Sequence, residues 1–127
     1  MGFEFGDSAL LDVEIEGEHY TGTVDSPEVV AFWADNAEEL RGLSALTADS
    51  PDADVSEGIK RFVTLTVEFT VALFGAEAAQ AIFNGRARSL LFCVALMDYL
   101  NVEIEAQGLM ERLDAASRKY AAAKVIG

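Results

Sequence analysis

The chain is short of several kinds of residue, and each shortage removes a class of function. It holds one cysteine, Cys93, and one histidine, His19. A lone cysteine forms no internal disulfide, which fits a reducing compartment. Zinc sites and Ser-His-Asp triads both need partners that these two residues do not find along the chain. Neither of the two most apolar stretches, "FVTLTVEFTVALFGA" from Phe62 and "LLFCVALM" from Leu90, reaches the roughly 20 uninterrupted apolar residues of a membrane span. The opening "MGFEFGDSALLDVEIEG" has no basic region followed by an apolar one, so a secretory signal is not expected. Gly6 stands where a myristoylation motif wants Ser or Thr. The expectation is a soluble cytoplasmic protein with no membrane partner.

Basic residues are scarce where acids are dense. Residues 1–59 hold 15 of the 22 acids and a single base, Arg41, whereas residues 60–127 hold 7 acids and 8 bases. A formal charge of −13 repels phosphate backbones and forgoes the counterion release that drives most nucleic-acid binding. A basic or neutral protein is the expected partner, and nucleic acid is not.

What is present suffices for a single domain spanning residues 1–127, since 51% of the residues are apolar. Residues 10–25 read as a β-hairpin: Leu11, Val13 and Ile15 alternate with Asp12, Glu14 and Glu16, and Tyr20, Gly22 and Val24 continue the period of two. Gly17-Glu18, glycine first, suits a type II′ connection. Residues 1–25 are therefore assigned to a hairpin region and residues 26–127 to a helical bundle.

Ser26 and Pro27 provide a helix cap and a first helical residue. Val29, Val30, Trp33, Ala37, Leu40 and Leu43 then recur at helical spacing to about residue 48, with Trp33 as core anchor. Residues 48–58, "ADSPDADVSEG", read as a polar connector; Asp49, Asp52 and Asp54 lack the glycine and terminal glutamate of a calcium loop. Over residues 62–71 two periods compete. Val63, Leu65, Val67, Phe69 and Val71 alternate as in a strand, while Ile59, Phe62, Val63, Val67 and Phe74 line one helical face. The 19 residues from Ser56 to Phe74 are ordinary for a helix and long for a strand, so a helix is expected.

"FGAEAAQAIFNGRARS", residues 74–89, has two glycines and two arginines but not the G-x-x-x-x-G-K-[ST] of a phosphate loop, because Gly75 and Gly85 stand ten apart. It reads instead as a corner: a short helix over 76–83, a stop at Asn84-Gly85 and a new cap at Ser89. Arg86 and Arg88 either cap neighbouring helices or meet an acidic partner, capping being the preferred reading. The helix that follows, "LLFCVALMDYLNVEIEAQ", is apolar all round in its first two turns, as a central helix would be. After Gly108 a last helix carries a stripe of Leu109, Leu113, Ala116 and Tyr120, with Asp114 and Arg118 spaced to pair. The fold class expected is α+β and predominantly helical, an N-terminal antiparallel β-hairpin packed on a bundle of four to five helices.

No catalytic, metal or cofactor site emerges. His19 reads as a surface residue and Cys93, among apolar neighbours, as an inert core residue. The pairs Glu14/Glu16 and Glu103/Glu105 are spaced like solvated residues on amphipathic elements.

The order of parts, with "VDSPEV" closing an acidic hairpin and "FVTLTVEFTVALFGAEAAQAIFNGR" leading into "SLLFCVALMDYL", resembles the tail assembly chaperones, small proteins encoded in tail-gene clusters of siphophages and prophages of Gram-positive bacteria. The likeness is closest from Phe62 to Leu100, about a third of the chain. It implies a non-catalytic, cofactor-free protein of the bacterial cytoplasm that keeps the helical tape-measure protein soluble and helps recruit tail-tube subunits. Two helices more apolar than one small domain hides suggest a homo-oligomer or a partner groove. A structural tail component or another interaction module stays open. An acidic mimic of DNA is less favoured, because the carboxylates cluster in the hairpin, first helix and connector and do not form duplex-like rows.

Overall fold

Leu11 and Val13 point inward and are buried, and Asp12 and Glu14, which alternate with them, face solvent, as the period of two requires. The computed structural model describes residues 9–49 and 52–126. Strand β1 (Leu10–Ile15) pairs antiparallel with β2 (Glu18–Thr23), with Leu11 opposite Gly22 and Ile15 opposite Glu18. The connection is therefore Glu16-Gly17, one residue earlier than the expected Gly17-Glu18. Both residues have positive φ, 52° and 84°, which makes a type I′ turn with glycine second. Keeping Leu11, Val13 and Ile15 on one face sets this register, and a type I′ turn matches the twist of the strands. The part of the hairpin region at residues 1–8 lies outside the described residues.

Helix α1 (Pro27–Asp49) begins where Ser26 Oγ accepts the Val29 N–H at 3.2 Å. Helix α2 (Asp52–Phe74) starts four residues before the expected Ser56, so most of the supposed connector at 48–58 is helical. Asp49, Asp52 and Asp54 thus belong to helices and not to a solvated loop. The physical reason is one of backbone: the proline of the stretch precedes residue 52 in the sequence, so no residue of α2 lacks the N–H that helical bonding needs.

The ambiguous stretch at 62–71 is helical. Phe62, Leu65, Phe69 and Leu73 form its buried face, and Val63, Val67 and Phe74 only flank it, which moves the expected face round the helix. Thr66 and Thr70 are buried on the same face; each hydroxyl donates to a carbonyl one turn back, Phe62 O and Thr66 O, both at 2.8 Å. Buried hydroxyls so satisfied carry no desolvation penalty, and the strand-like threonines become helix-compatible. Phe69 stacks on Phe32 of α1 with centroids 5.3 Å apart and meets Trp33 at 5.8 Å, so α1 and α2 share one aromatic centre. The hairpin closes on this pair at Gly22, which is buried against the Leu73 carbonyl.

Helix α3 (Ala76–Phe83) has the expected bounds, and Asn84 ends it in the left-handed conformation, φ 45°. Ser89 Oγ accepts the Phe92 N–H at 3.2 Å and starts α4 (Leu90–Ala106). The expected central position of α4 is not found: Cys93, Leu96, Met97, Leu100 and Ile104 are buried, but Leu91 is 84% exposed, Val102 55% and Val94 44%. The hairpin and α2 take one side of α4, and no other described element covers the opposite side.

In α5 (Met110–Ile126) the stripe turns slightly from the expected one, with Leu113 and Ser117 buried and Ala116 and Tyr120 half-buried. Asp114 does not take Arg118 as its partner. Its Oδ1 accepts the Trp33 indole N–H at 3.0 Å and so ties α5 to α1. The result is an antiparallel N-terminal hairpin packed on, among the described residues, five helices. No helix among the described residues is long and apolar enough to cross a membrane.

Candidate partner-binding surface

The residues singled out for chemistry do not converge. His19 lies on β2 and pairs through Nε2 with Asp12 of β1, both side chains well exposed. Cys93 is fully buried, and burial pushes its thiol above its ordinary value, the condition of an unreactive cysteine. Glu14 is exposed, Glu16 pairs with Arg86, and Glu103 accepts from Gln107 Nε2 at 3.0 Å. Among the described residues no group of three or more His, Cys, Asp or Glu side chains is placed to hold a metal ion.

Arg86 has the capping role. Its guanidinium donates to Phe83 O at 3.0 Å and Ile82 O at 3.2 Å, closing the C-terminus of α3, where cations are favoured. It also pairs with Glu16 in the hairpin turn and lies 4.1 Å over the Phe92 ring. One arginine thus joins α3, α4 and the turn. Arg88 is exposed and borders, with Lys60 and Glu68, a shallow concavity on α2.

A second ion pair, between Arg61 and Glu39, joins α1 to α2. Arg61 Nε and a terminal nitrogen reach the two carboxylate oxygens of Glu39 at 2.7 and 3.0 Å, a bidentate fork. The hydrogen bonds from Arg61 hold the Glu39 carboxyl below the usual range.

The exposed side of α4 is where a partner could sit. Leu91, Val94, Asp98, Val102 and Glu105 succeed one another at intervals of three and four and so form a continuous stripe. Two concavities lie beside the stripe. One, of about 430 Å³, lies between α1, α4 and α5, walled by Trp33, Leu40, Val102 and Met110. The other, of about 410 Å³, lies between Phe62 of α2 and the Leu91–Val94 end of α4. Both include Met97 and Asn101, so together they make one groove running the length of the helix. Asn101 Oδ1 is buried there with no hydrogen-bond partner among the described residues. An unpaired buried acceptor is costly, and groups of this kind mark places where something else completes the bonding.

That two helices are more apolar than a small domain hides is legible in the sequence; which residues of α4 remain outside is not. The available signal was the 91–94–98–102 spacing itself, hidden because the opposite face of α4 is equally apolar. The chain matches no protein-family model, no curated protein and no solved structure.

Proposed function

We propose that the chain is a non-catalytic binding protein that shields an apolar helical segment of another protein, acting as a tail assembly chaperone of the siphophage and prophage kind with the tape-measure protein as its client. The observation that carries this reading is the set of exposed hydrophobic residues on α4, Leu91, Val94 and Val102, with the groove beside them. Leu91, with 84% of its surface open to water, has no packing role, and a surface of this composition is the usual mark of a protein interaction. A groove beside an exposed helix suits an amphipathic partner helix, read through anchors at successive turns. The resemblance in the order of parts from Phe62 to Leu100 supplies the biological setting, and the acidic, catalytically sparse composition agrees with it.

The test is co-expression with a tape-measure protein from a siphophage tail cluster. The expected result is a larger soluble fraction of that protein and its co-purification with this chain. Unchanged solubility together with no co-purification removes the assembly role.

A further inference from the structure

We propose that the α4 groove is built for one kind of occupant, an amphipathic helix with basic residues along its flanks and a hydrogen-bond donor at its middle. This deepens the reading just given and rests on the same surface. Three features define the occupant. The first is length: α4 has 17 residues, which at about 1.5 Å per residue offers a track of roughly 26 Å, enough for four to five turns of a helix laid beside it.

The second is charge. The groove carries Asp98, Glu105 and Asp114 against a single base, Arg41, on a chain whose formal charge is −13. Lysines or arginines beside the apolar stripe of an incoming helix would meet Asp98 and Glu105, and the same charges would speed its approach. A second copy of this chain is a poor occupant on the same ground. Laid antiparallel across Asn101, it would bring its own Asp98 and Glu105 against these two, like charge on like.

The third is Asn101, a residue of both concavities whose Oδ1 is covered and unpaired, so that a turn of its side chain toward the groove would present an unused acceptor to a guest. A serine, threonine, asparagine or lysine donor at the centre of the guest helix would satisfy it. Because a mispaired polar group in such a place is costly, that bond would fix the register of the guest along α4.

The experiment uses the full chain and three synthetic helical peptides of about 18 residues. One carries leucines at helical spacing, lysine flanks and a central serine; the second replaces lysine by glutamate; the third replaces the serine of the first by alanine. Trp33, the only tryptophan, walls the groove, so its emission reports occupancy while peptide anisotropy gives affinity. The lysine peptide is expected to bind one to one, weakening as salt is raised, and the glutamate peptide to bind at least about tenfold more weakly. Leu91→Glu, at an exposed position, is expected to weaken the lysine peptide about tenfold or more without moving the melting temperature. The double change Asp98→Lys with Glu105→Lys should invert the preference between the charged peptides. Asn101→Leu should erase the advantage of serine over alanine.

Equal binding of lysine and glutamate peptides, or full binding by the Leu91→Glu protein, overturns the inference. So does sedimentation showing a dimer that Leu91→Glu dissociates, since a second copy would then be the occupant. If the lysine peptide binds as described while co-expression fails, the assembly role falls and the groove stands. If co-expression succeeds and persists in the Leu91→Glu protein, the role stands and the groove falls.

Discussion

The side-chain amide of Gln107 bonds both backbone polar groups of Asp12, accepting from its N–H at 3.1 Å and donating to its C=O at 2.8 Å. Asp12 and Glu14 occupy the positions of β1 whose backbone groups turn away from β2, the free edge of a two-stranded sheet. Just over two turns back along the helix, the Tyr99 hydroxyl does the same for Glu14, donating to its C=O at 2.9 Å and accepting from its N–H at 3.2 Å. A side chain of α4 and that of its C-cap residue, Gln107, thus stand where a third strand would stand, and they close an edge that would otherwise invite pairing with another chain.

Replacing Gln107 tests this arrangement. Gln107→Leu removes both bonds to Asp12, and the loss of stability is expected to be about 1–2 kcal/mol, since water can reach the exposed edge. Faster exchange of the Asp12 amide proton, followed by NMR, is the local readout. Gln107→Glu retains an acceptor for the N–H but sets a carboxylate against the Asp12 carbonyl, so it should be no better than leucine.

Gly22 is expected to tolerate no side chain. A Cβ there would stand 2.5 Å from the Leu73 carbonyl oxygen, a backbone atom with little freedom to move. Gly22→Ala should cost about 1–3 kcal/mol by forcing the hairpin off α2. A thermal melt by circular dichroism checks it, and an unchanged midpoint would show that the hairpin does not pack where described.

Cys93 is fully buried and its thiol is shifted upward by that burial. The native protein should therefore react slowly with a thiol-specific reagent at mildly alkaline pH and at once in guanidinium. Rapid modification of the folded chain would contradict the packing of α4.

The pair between Glu39 and Arg61 predicts a pH dependence. The folded carboxyl lies below its ordinary value, so the stability it contributes is present above about pH 4.3, the unfolded value, and is lost as the pH falls through the lowered folded one. Arg61→Gln should be less stable than the parent at neutral pH, and the gap should narrow on acidification below that point. Both groups are substantially exposed, so the gap is small and shrinks with salt.

Punctuation was easier to read from the sequence than surroundings. The bounds of α3 followed from Gly75, Asn84, Gly85 and Ser89, because caps and left-handed residues act within a few positions of themselves. The same holds for Ser26 at the head of α1. Where the outcome depended on distant residues, local signals fell short. The I′ turn at Glu16-Gly17 depends on which face of β1 meets the helices. The early start of α2 depends on backbone hydrogen bonding that a polar composition does not forbid. The groove was the least legible part, since the exposure of Leu91 and Val94 is decided by where α1, α2 and the hairpin happen to end. Nothing at Gln107 or Asp12 foretold their bond, which spans 95 residues.

The inward-facing threonines of α2 have a consequence for the chain before its helices are packed. "VTLTVEFTV" has the alternation and β-branching of a strand, and Thr66 and Thr70 are comfortable in a helix only as members of a face buried with Phe62, Leu65 and Phe69. Detached from its neighbours this segment is a poor helix former with the composition of an aggregating strand. The contacts of Phe69 with Phe32 and Trp33 on α1 thus supply the helical stability that the segment's own propensity does not, and a chain that lacks them exposes its most association-prone stretch.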